Sequence, residues 1–365
     1  MDSGVDVYGL SRVVGTTGLF PQRAGRLDPS LPCRASELLV DVERLNIDAA
    51  SFEQLAREAG DDDALIAERV KHIVNECGKM HNPRTGSGGI FIGRVREVGP
   101  LHPSRGQLLV GDRIASLVSL TLTPLVIEEI LAIRREAHRV DVRGHAILFA
   151  TGSYAKLPED LSDTLALAAL DVCGAPALVA RHLRPGMTVA VLGAGKGGAL
   201  CLAQARRSVG ASGRLVVIDI DEAALAELRE ARLCDVALAL DATRAVEVQE
   251  HVRRATNGAL CDLVVNCVSV QDTEMATILC VRDGGMAIFF SMATSFTAAS
   301  LGADGVSRDV TLVMGNGYVP GHADLTLGLL RTEPGLRRLF ERRFTCVSRP
   351  DWARPAGAGH PPACP

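Results

Sequence analysis

The stretch TVAVLGAGKGGALCLAQARRSVG, residues 188–210, decides the fold. Its first residues form an apolar run typical of a buried strand, and its later residues have helical spacing. Between them Gly193, Gly195 and Gly198 form the pattern G-x-G-x-x-G. The first glycine permits a tight turn, the second lets a pyrophosphate approach the backbone, and the third lets the helix pack against the strand. The stretch therefore predicts a dinucleotide site at a helix N-terminus.

Residues 188–316 repeat this strand-then-helix order. Apolar runs such as RLVVIDI and CDLVVNCV are each followed by a segment with helical spacing. Continuous apolar strands occur where helices cover both faces of a parallel sheet. The sequence predicts an α/β fold of the Rossmann type, with a doubly wound parallel sheet, over residues 165–316.

Upstream of this domain the pattern changes to short strands separated by turn residues. ELLVDVERLNI and IFIGRVREVG contain such strands, which indicates a small, mostly β substrate domain over residues 1–164. Two segments with helical spacing interrupt it, residues 50–77 and 123–138.

At the other end of the chain, HADLTLGLLRTEPGLRRLFERRF predicts helix with a break at Pro334 and Gly335. The Pro-, Gly- and Ala-rich residues 347–365 predict a disordered tail.

The composition favours a small-molecule partner. The formal net charge is −4, so no basic patch for nucleic acid or an anionic membrane is indicated. No apolar run reaches the ~20 residues of a membrane span, and no secretory signal is visible. Ten cysteines occur singly, without the paired C-x-x-C spacing of a structural zinc lobe. We expect a cytoplasmic protein that binds neither nucleic acid nor membrane.

Asp219 follows the second strand of the Rossmann pattern, about 20 residues after the last glycine, where a carboxylate can bind both ribose hydroxyls of NAD. It would repel the 2′-phosphate of NADP, so NAD is the expected cofactor. Asp219 or Asp221 could instead cap the next helix, and Asp221 suits that role better. Further cofactor candidates lie in the glycine loop and at the ends of later strands: Lys196, Gly197, Asn266, Ser269, Ser291 and Thr294. Thr294 could equally be the N-cap of the helix that follows it.

The segments VGDRIASLV and LRPGMTVAVLGAG resemble the medium-chain dehydrogenase/reductase group. This resemblance implies a GroES-like first domain and a C-terminal segment, residues 317–346, that returns to it. It also implies a homodimer. Zinc-dependent members place a cysteine, a proton-relay hydroxyl and a histidine near Asn46, Asp48 and Gly89. None of these three residues is a soft ligand, so no catalytic zinc is expected.

A narrower resemblance is to the L-erythro-3,5-diaminohexanoate dehydrogenases. It is carried by LNIDAASF, GKMHNPRTGSGGIFIG, GSYAKLPED, DVCGAPA and FFSMATSFTAASLGADGVSRDVTLVMGNGY, and it runs from about residue 8 to residue 344. It implies oxidation of (3S,5S)-3,5-diaminohexanoate by NAD to 5-amino-3-oxohexanoate, with release of ammonia, as in lysine fermentation.

The expected chemistry favours carboxylates over a metal. Amine oxidation develops a cationic iminium, which an anion stabilises and a metal ion would destabilise. Asp48 is the first candidate for deprotonating the reacting ammonium, and an exposed loop acid is the alternative. Asp171 lies in an apolar segment near the group's third zinc ligand and is the second candidate. A buried carboxylate satisfied by backbone is its alternative.

The diamino acid substrate also carries a carboxylate, which requires cationic or hydrogen-bonding partners. Residues for this purpose cluster in the polar loop GKMHNPRTGS: Lys79, His81, Arg84, Thr85 and Ser87. A solvated loop is the alternative interpretation. Tyr154 and Lys156, at the expected crossing between the domains, are candidates for a catalytic acid or base, although Lys156 could simply lie along the hinge surface.

Two other functions are compatible with parts of the sequence. A zinc-free quinone or enoyl reductase would normally use NADPH in an apolar cleft, which Asp219 and the acidic candidates disfavour. A non-catalytic nucleotide-binding protein would keep the glycine loop but would not need Asp48 and Asp171.

Overall fold

The computed structural model describes residues 5–15, 18–82, 88–291 and 293–344. The chain divides into two compact units, with the boundary between Pro158 and Glu159.

The first unit contains an antiparallel six-stranded sheet. Its strands are β1 (Leu38–Asn46), β2 (Ile90–Val98), β3 (Arg113–Ser116), β4 (Leu125–Arg134), β5 (Arg139–Leu148) and β6 (Tyr154–Lys156). They are ordered β4-β5-β1-β2-β3-β6. The long central strand β1 pairs with β2 on one side and β5 on the other. The sheet and the helices that follow β1 share one apolar core, and the mostly β character of this unit agrees with the predicted fold class.

Two helices connect β1 to β2, as expected for residues 50–77. They are α1 (Ala49–Glu58) and α2 (Asp63–Cys77). Asp48 caps α1 by accepting from the Ser51 amide, and Asp62 caps α2 in the same way. Helix α2 ends at Gly78, which has φ +60° and lies so close to the Leu27 carbonyl that a Cβ would be 1.9 Å from its oxygen. The N-caps Asp48 and Asp62 and the glycine after α2 thus determine locally where these two helices begin and end.

The expected helix over residues 123–138 is wrong. Most of this segment is strand β4, which pairs antiparallel with β5 and is followed by a short 3-10 helix. Val126, Ile127, Ile130 and Ile133 are β-branched, and such residues prefer the extended conformation. Their apolar spacing also fits a helix, so pairing with β5 decides the outcome.

The second unit contains a parallel six-stranded sheet. Its strands are β7 (Thr188–Leu192), β8 (Arg214–Asp219), β9 (Val236–Ala239), β10 (Cys261–Asn266), β11 (Val281–Phe289) and β12 (Val310–Met314). The order is β12-β11-β10-β7-β8-β9. This order places the first strand of the glycine motif at the centre, as in a doubly wound Rossmann sheet.

Helices connect and cover these strands. They are α3 (Asp163–Leu170), α4 (Gly174–His182), α5 (Lys196–Val209), α6 (Glu222–Glu230), α7 (Ala245–Ala255), α8 (Glu274–Leu279), α9 (Phe296–Gly305), α10 (His322–Thr332) and α11 (Pro334–Phe344). The break between α10 and α11 falls at Glu333, next to the expected Pro334 and Gly335. Among the described helices no single one is long and apolar enough to cross a membrane, and only the bent pair α3 and α4 meets that test jointly.

The C-terminal helices belong to the second unit, in contrast to the expected return of residues 317–346 to the first domain. Arg331 on α10 makes a bidentate ion pair with Asp160, with both N···O distances 2.8 Å. Thr326 donates to the Cys173 carbonyl at 3.2 Å. These contacts hold residues from about 160 onward together with α10, which is why the boundary lies at Pro158 and not at residue 164. Residues 345–365, including the expected tail, lie outside the described part of the chain.

Candidate active site

The glycine loop between β7 and α5 has the geometry of a phosphate cradle. Gly193 has φ +103°, and a Cβ on Gly198 would lie 1.8 Å from the Gly193 carbonyl oxygen. A side chain at Gly198 would therefore separate helix from strand. A Cβ on Gly195 would meet no described atom within 4 Å, and Gly195 is the N-cap of α5. Open space at a helix N-terminus is what a pyrophosphate requires.

Asp219, at the end of β8, is oriented by two backbone amides. Its Oδ2 accepts from the Ala194 amide at 2.6 Å, and its Oδ1 accepts from the Asp221 amide at 2.9 Å. The carboxylate thus lies beside the glycine loop, where it could accept ribose hydroxyls. Asp221 is the N-cap of α6 and accepts from Ala223 and Ala224, so the assignment of that cap to Asp221 is confirmed.

A cavity of about 410 Å³ opens beside the glycine loop. It is lined by Ala194, Gly195, Asp219, Asp221, Ala223, Ala224, Glu227 and Arg343. Arg343, on α11, bonds both the Ala194 carbonyl and the Glu227 carboxylate. Sequence reasoning missed Glu227 and Arg343 because no motif links a surface helix to a C-terminal helix more than 100 residues away.

Lys196, the first residue of α5, makes an ion pair with Asp171. Asp171 follows α3 as its C-cap, and its side chain is 43% exposed within the structure. The carboxylate is therefore neither buried nor isolated, in contrast to the expectation from its apolar sequence context. Its ion pair brings Asp171 close to the start of the glycine loop helix.

The candidates at the ends of β10 and β11 differ in what their side chains contact. Asn266 is fully buried and bonds Thr273, Thr277 and the Val268 amide, so it orients the turn after β10. Ser269 is exposed in the same turn.

Ser291 and Thr294 follow β11, and only one of them has a described partner for its hydroxyl. The Ser291 hydroxyl accepts from the Ala293 amide at 3.1 Å. Thr294 Oγ1 is buried without a hydrogen-bond partner among the described residues. Thr294 is not the N-cap of α9, because Ser295 has that role.

In the first unit, the Gly88–Gly89 pair packs against the backbone of Met80 and Ile47, the residues that precede His81 and Asp48. A Cβ on Gly88 would lie 2.3 Å from the Met80 carbonyl oxygen, and one on Gly89 would lie 2.8 Å from Ile47 Cα. Asp48 Oδ2 and His81 Nδ1 are both buried without a hydrogen-bond partner among the described residues. Burial, and secondarily the charge of Lys79, lowers the pKa of His81, so the imidazole is neutral at neutral pH. Unpartnered buried polar atoms are costly, and they are expected where a ligand completes the site.

Gly89 cannot carry a larger side chain in this conformation. Its φ is +85°, and a Cβ would lie 2.1 Å from the Asn46 carbonyl oxygen. The position near which zinc-dependent members place a histidine is therefore closed to any side chain here. Asn46, at the end of β1, accepts from Arg139 Nε at 3.4 Å. Among the described residues no group of three or more His, Cys, Asp or Glu side chains is arranged to hold a metal ion.

The remaining candidates of the first unit have structural contacts. Lys79 is completely buried, and its ammonium donates to the carbonyls of Pro21 and Gln22 at 2.8 and 3.3 Å. Burial lowers its pKa to about 8. Lys156 pairs with Asp112 at 2.6 Å, and Tyr154 packs against the apolar core. Arg84, Thr85 and Ser87 lie outside the described residues.

Comparison with known proteins decides the family. Residues 11–158 match the family model described as the L-erythro-3,5-diaminohexanoate dehydrogenase N-terminal domain. A protein of that name from Acetoanaerobium sticklandii is 48% identical over 338 residues, which is 92% of this chain and 98% of the relative. The chain belongs to the L-erythro-3,5-diaminohexanoate dehydrogenase family. A second protein of this name, from Fusobacterium nucleatum, is 46% identical over 341 residues, again 92% of this chain and 98% of the relative.

Solved structures show the same fold at low sequence identity. An alcohol dehydrogenase from Thermotoga maritima has a TM-score of 0.53 and 19% identity, covering 86% of each chain. A quinone oxidoreductase from Pseudomonas syringae has a TM-score of 0.50 and 15% identity, covering 86% of this chain and 83% of that one. This chain thus has the Rossmann plus GroES-like fold of these solved oxidoreductases. As a member of the L-erythro-3,5-diaminohexanoate dehydrogenase family, the chain is an oxidoreductase that acts on a small molecule with a nicotinamide cofactor.

Proposed function

We propose that this protein oxidises (3S,5S)-3,5-diaminohexanoate with NAD to 5-amino-3-oxohexanoate, with consumption of water and release of ammonia, as a step of lysine fermentation. The observation that carries the proposal is membership of the L-erythro-3,5-diaminohexanoate dehydrogenase family over 92% of the chain. A zinc-free quinone or enoyl reductase has the same fold, but fold alone does not select a substrate. A protein that only binds a nucleotide would have no use for the buried, unpartnered Oδ2 of Asp48.

The residues around the glycine loop fit NAD. When bound, the nicotinamide ring accepts a hydride from the substrate carbon. The amides at the start of α5 would hold the pyrophosphate over Gly195, and Asp219 would accept from the ribose hydroxyls. Thr294, with its unpartnered hydroxyl, and Ser269, exposed after β10, are the proposed polar contacts for the nicotinamide half. A carboxylate at the ribose disfavours a 2′-phosphate, which is the basis for proposing NAD and not NADP.

Asp48 is the proposed proton acceptor for the reacting ammonium. Its Oδ1 is used in capping α1, whereas its Oδ2 is buried and unpartnered. The amine nitrogen must lose a proton before its lone pair can assist departure of the hydride, and a carboxylate in hydrogen-bond reach can accept that proton. Once Asp48 has passed this proton on to water, the restored carboxylate can stabilise the iminium cation that develops. His81 is proposed to bind the substrate near Asp48, as its Nδ1 is also unpartnered.

We propose that this chemistry proceeds without zinc. Amine oxidation produces positive charge at nitrogen, which a Lewis acid opposes. The donor set supports the proposal, because Gly89 has no room for a side chain and Asn46 offers only an amide. Asp171, near the expected position of the group's third zinc ligand, already forms an ion pair with Lys196.

The test is a comparison of substrates with the purified protein. The proposal expects NADH formation from (3S,5S)-3,5-diaminohexanoate and none from simple alcohols, and no oxidation of NADPH with quinones or enoyl thioesters. Turnover of a quinone but not of the diamino acid would replace the proposal with the reductase function. Tight NAD binding without turnover of any of these compounds would support a binding protein.

A homodimer in the cytoplasm is also proposed. Strand β12 is an edge of the parallel sheet and carries the exposed Met314, so its backbone edge is available to pair with a second copy. The described cysteines are all free thiols, which suits a reducing compartment. Light scattering on the purified protein and fractionation of cells test these two points separately.

A further inference from the structure

Helix α11 brings a guanidinium to the cavity beside the glycine loop. Arg343 Nη1 donates to the Ala194 carbonyl at 2.8 Å, and Arg343 Nε donates to Glu227 Oε2 at 2.6 Å. The side chain is 17% exposed, so its position is well defined by these contacts. Because the Ala194 amide also donates to Asp219, the guanidinium and the Asp219 carboxylate are fixed by the same residue of the loop.

The charges that line this cavity do not balance. Asp219, Asp221 and Glu227 are acidic, and Arg343 is the only basic residue among the lining residues. An arginine beside the adenosine ribose is the group that accommodates a 2′-phosphate in enzymes that use NADP. Arg343, the arginine that lines this cavity, is already paired with Glu227.

We propose that Glu227 is a second specificity-determining residue for NAD. By pairing with Arg343, Glu227 withholds the guanidinium from a 2′-phosphate, while Asp219 repels the same phosphate directly. Exclusion of NADP then depends on two carboxylates from two different elements, β8 and α6. This inference rests on the proposed preference for NAD and deepens it.

Removing the Glu227 charge should therefore release a phosphate-binding group. In the Glu227→Gln variant, Arg343 keeps its bond to the Ala194 carbonyl but loses its anionic partner. A charge-assisted hydrogen bond to phosphate should then tighten NADP binding about tenfold or more, with a much smaller change for NAD. The gain should require the guanidinium, so Glu227→Gln combined with Arg343→Gln should not show it.

The chain offers a matched control on the same two helices. Glu230 on α6 pairs with Arg342 on α11 at 3.2 Å. Both side chains are exposed, at 67% and 44%, and neither residue lines the cavity. Glu230→Gln removes the same charge and breaks the same type of ion pair, but it should leave the binding of both cofactors unchanged.

The experiment measures dissociation constants for NAD and NADP by titration calorimetry, using the full chain without substrate. The expected result is a preference for NAD that falls about tenfold in Glu227→Gln and is restored in the double variant. A ratio within twofold of the unmodified protein, or a gain that persists without Arg343, overturns the inference. If the unmodified protein itself binds NADP as tightly as NAD, the proposed cofactor preference fails before any variant is made. Thermal melting of each variant confirms that the fold is retained, and Glu227→Ala provides a second test of the same charge.

Discussion

Asp48 Oδ1 accepts the backbone amide proton of Ser51 at 3.0 Å, while Asp48 Oδ2 is buried with no hydrogen-bond partner among the described residues. One oxygen thus fixes the side chain at the start of α1, and we propose that the other binds the substrate. Capping of α1 accounts for the contact of Oδ1, but it does not explain why Oδ2 is buried without a partner.

Asp48→Asn should abolish most of the turnover without unfolding the protein. Asparagine is as good an N-cap as aspartate, so α1 should be retained. Loss of the proton acceptor should reduce kcat about 100-fold or more, with little change in the Kd for NAD. The control is Asp62→Asn, because Asp62 is the exposed N-cap of α2 and accepts from the Ala64 and Leu65 amides. Equal loss of activity in both variants would refute the role of Asp48.

Gly195→Ala should impair NAD binding, whereas Gly198→Ala should lower the stability of the fold. A methyl at Gly195 has free space in the protein, so the Tm should change little while NAD binding is lost through obstruction of the pyrophosphate. A methyl at Gly198 would lie 1.8 Å from a backbone oxygen, so it should lower the stability by about 1–3 kcal/mol. Thermal melting with and without NAD separates the two effects. A normal Kd for NAD in Gly195→Ala would contradict the placement of the pyrophosphate.

Gly89→Ala should destabilise the first unit strongly. The substitution combines an unfavourable positive φ with a clash against the Asn46 carbonyl. Gly111→Ala is the matched control, since Gly111 has φ +93° but open space around it. The control should cost only about 1 kcal/mol, the strain of the left-handed conformation alone. Equal losses in denaturant unfolding would show that the close approach at Gly89 does not matter.

Lys79 should make stability depend on pH in the alkaline range. Burial lowers its pKa from the usual 10.5 to about 8. Between these two values the unfolded chain binds more protons than the folded protein, so the free energy of unfolding should rise with pH. Lys79→Met should remove that rise. Lys71→Met, which changes a surface lysine bonded to the Glu128 carbonyl, should keep it. Parallel curves for Lys79→Met and the unmodified protein between pH 8 and pH 10.5 would show that folding does not lower the pKa of Lys79.

Local signals in the sequence predicted the glycine loop between β7 and α5 and the two acids after β8. The glycine spacing, the acid after β8 and the cap at Asp221 are each fixed within a few residues of chain, because turn geometry and capping are local interactions. The parallel pairing of the second sheet follows from the repeated strand-then-helix pattern.

Long-range contacts account for what the sequence could not predict. Residues 123–138 became strand because β5 pairs with them, although their spacing also fits a helix. Arg343 reaches the cavity only because α11 packs near α6, and no sequence pattern predicts this packing. The Lys79 ammonium is buried by a distant segment, around Pro21. Asp171 lies at a helix end and not within an apolar helix, which removed the reason for expecting it to be buried.

The most direct test is to measure NADH and ammonia together. Chelator-treated protein is incubated with NAD and synthetic (3S,5S)-3,5-diaminohexanoate, and both products are determined in the same sample. The account predicts equal molar amounts of NADH and ammonia, at a rate that the chelator does not reduce and added zinc does not increase. NAD binding without formation of either product, or a rate that is lost with the chelator and restored by zinc, would contradict metal-free oxidative deamination by this enzyme.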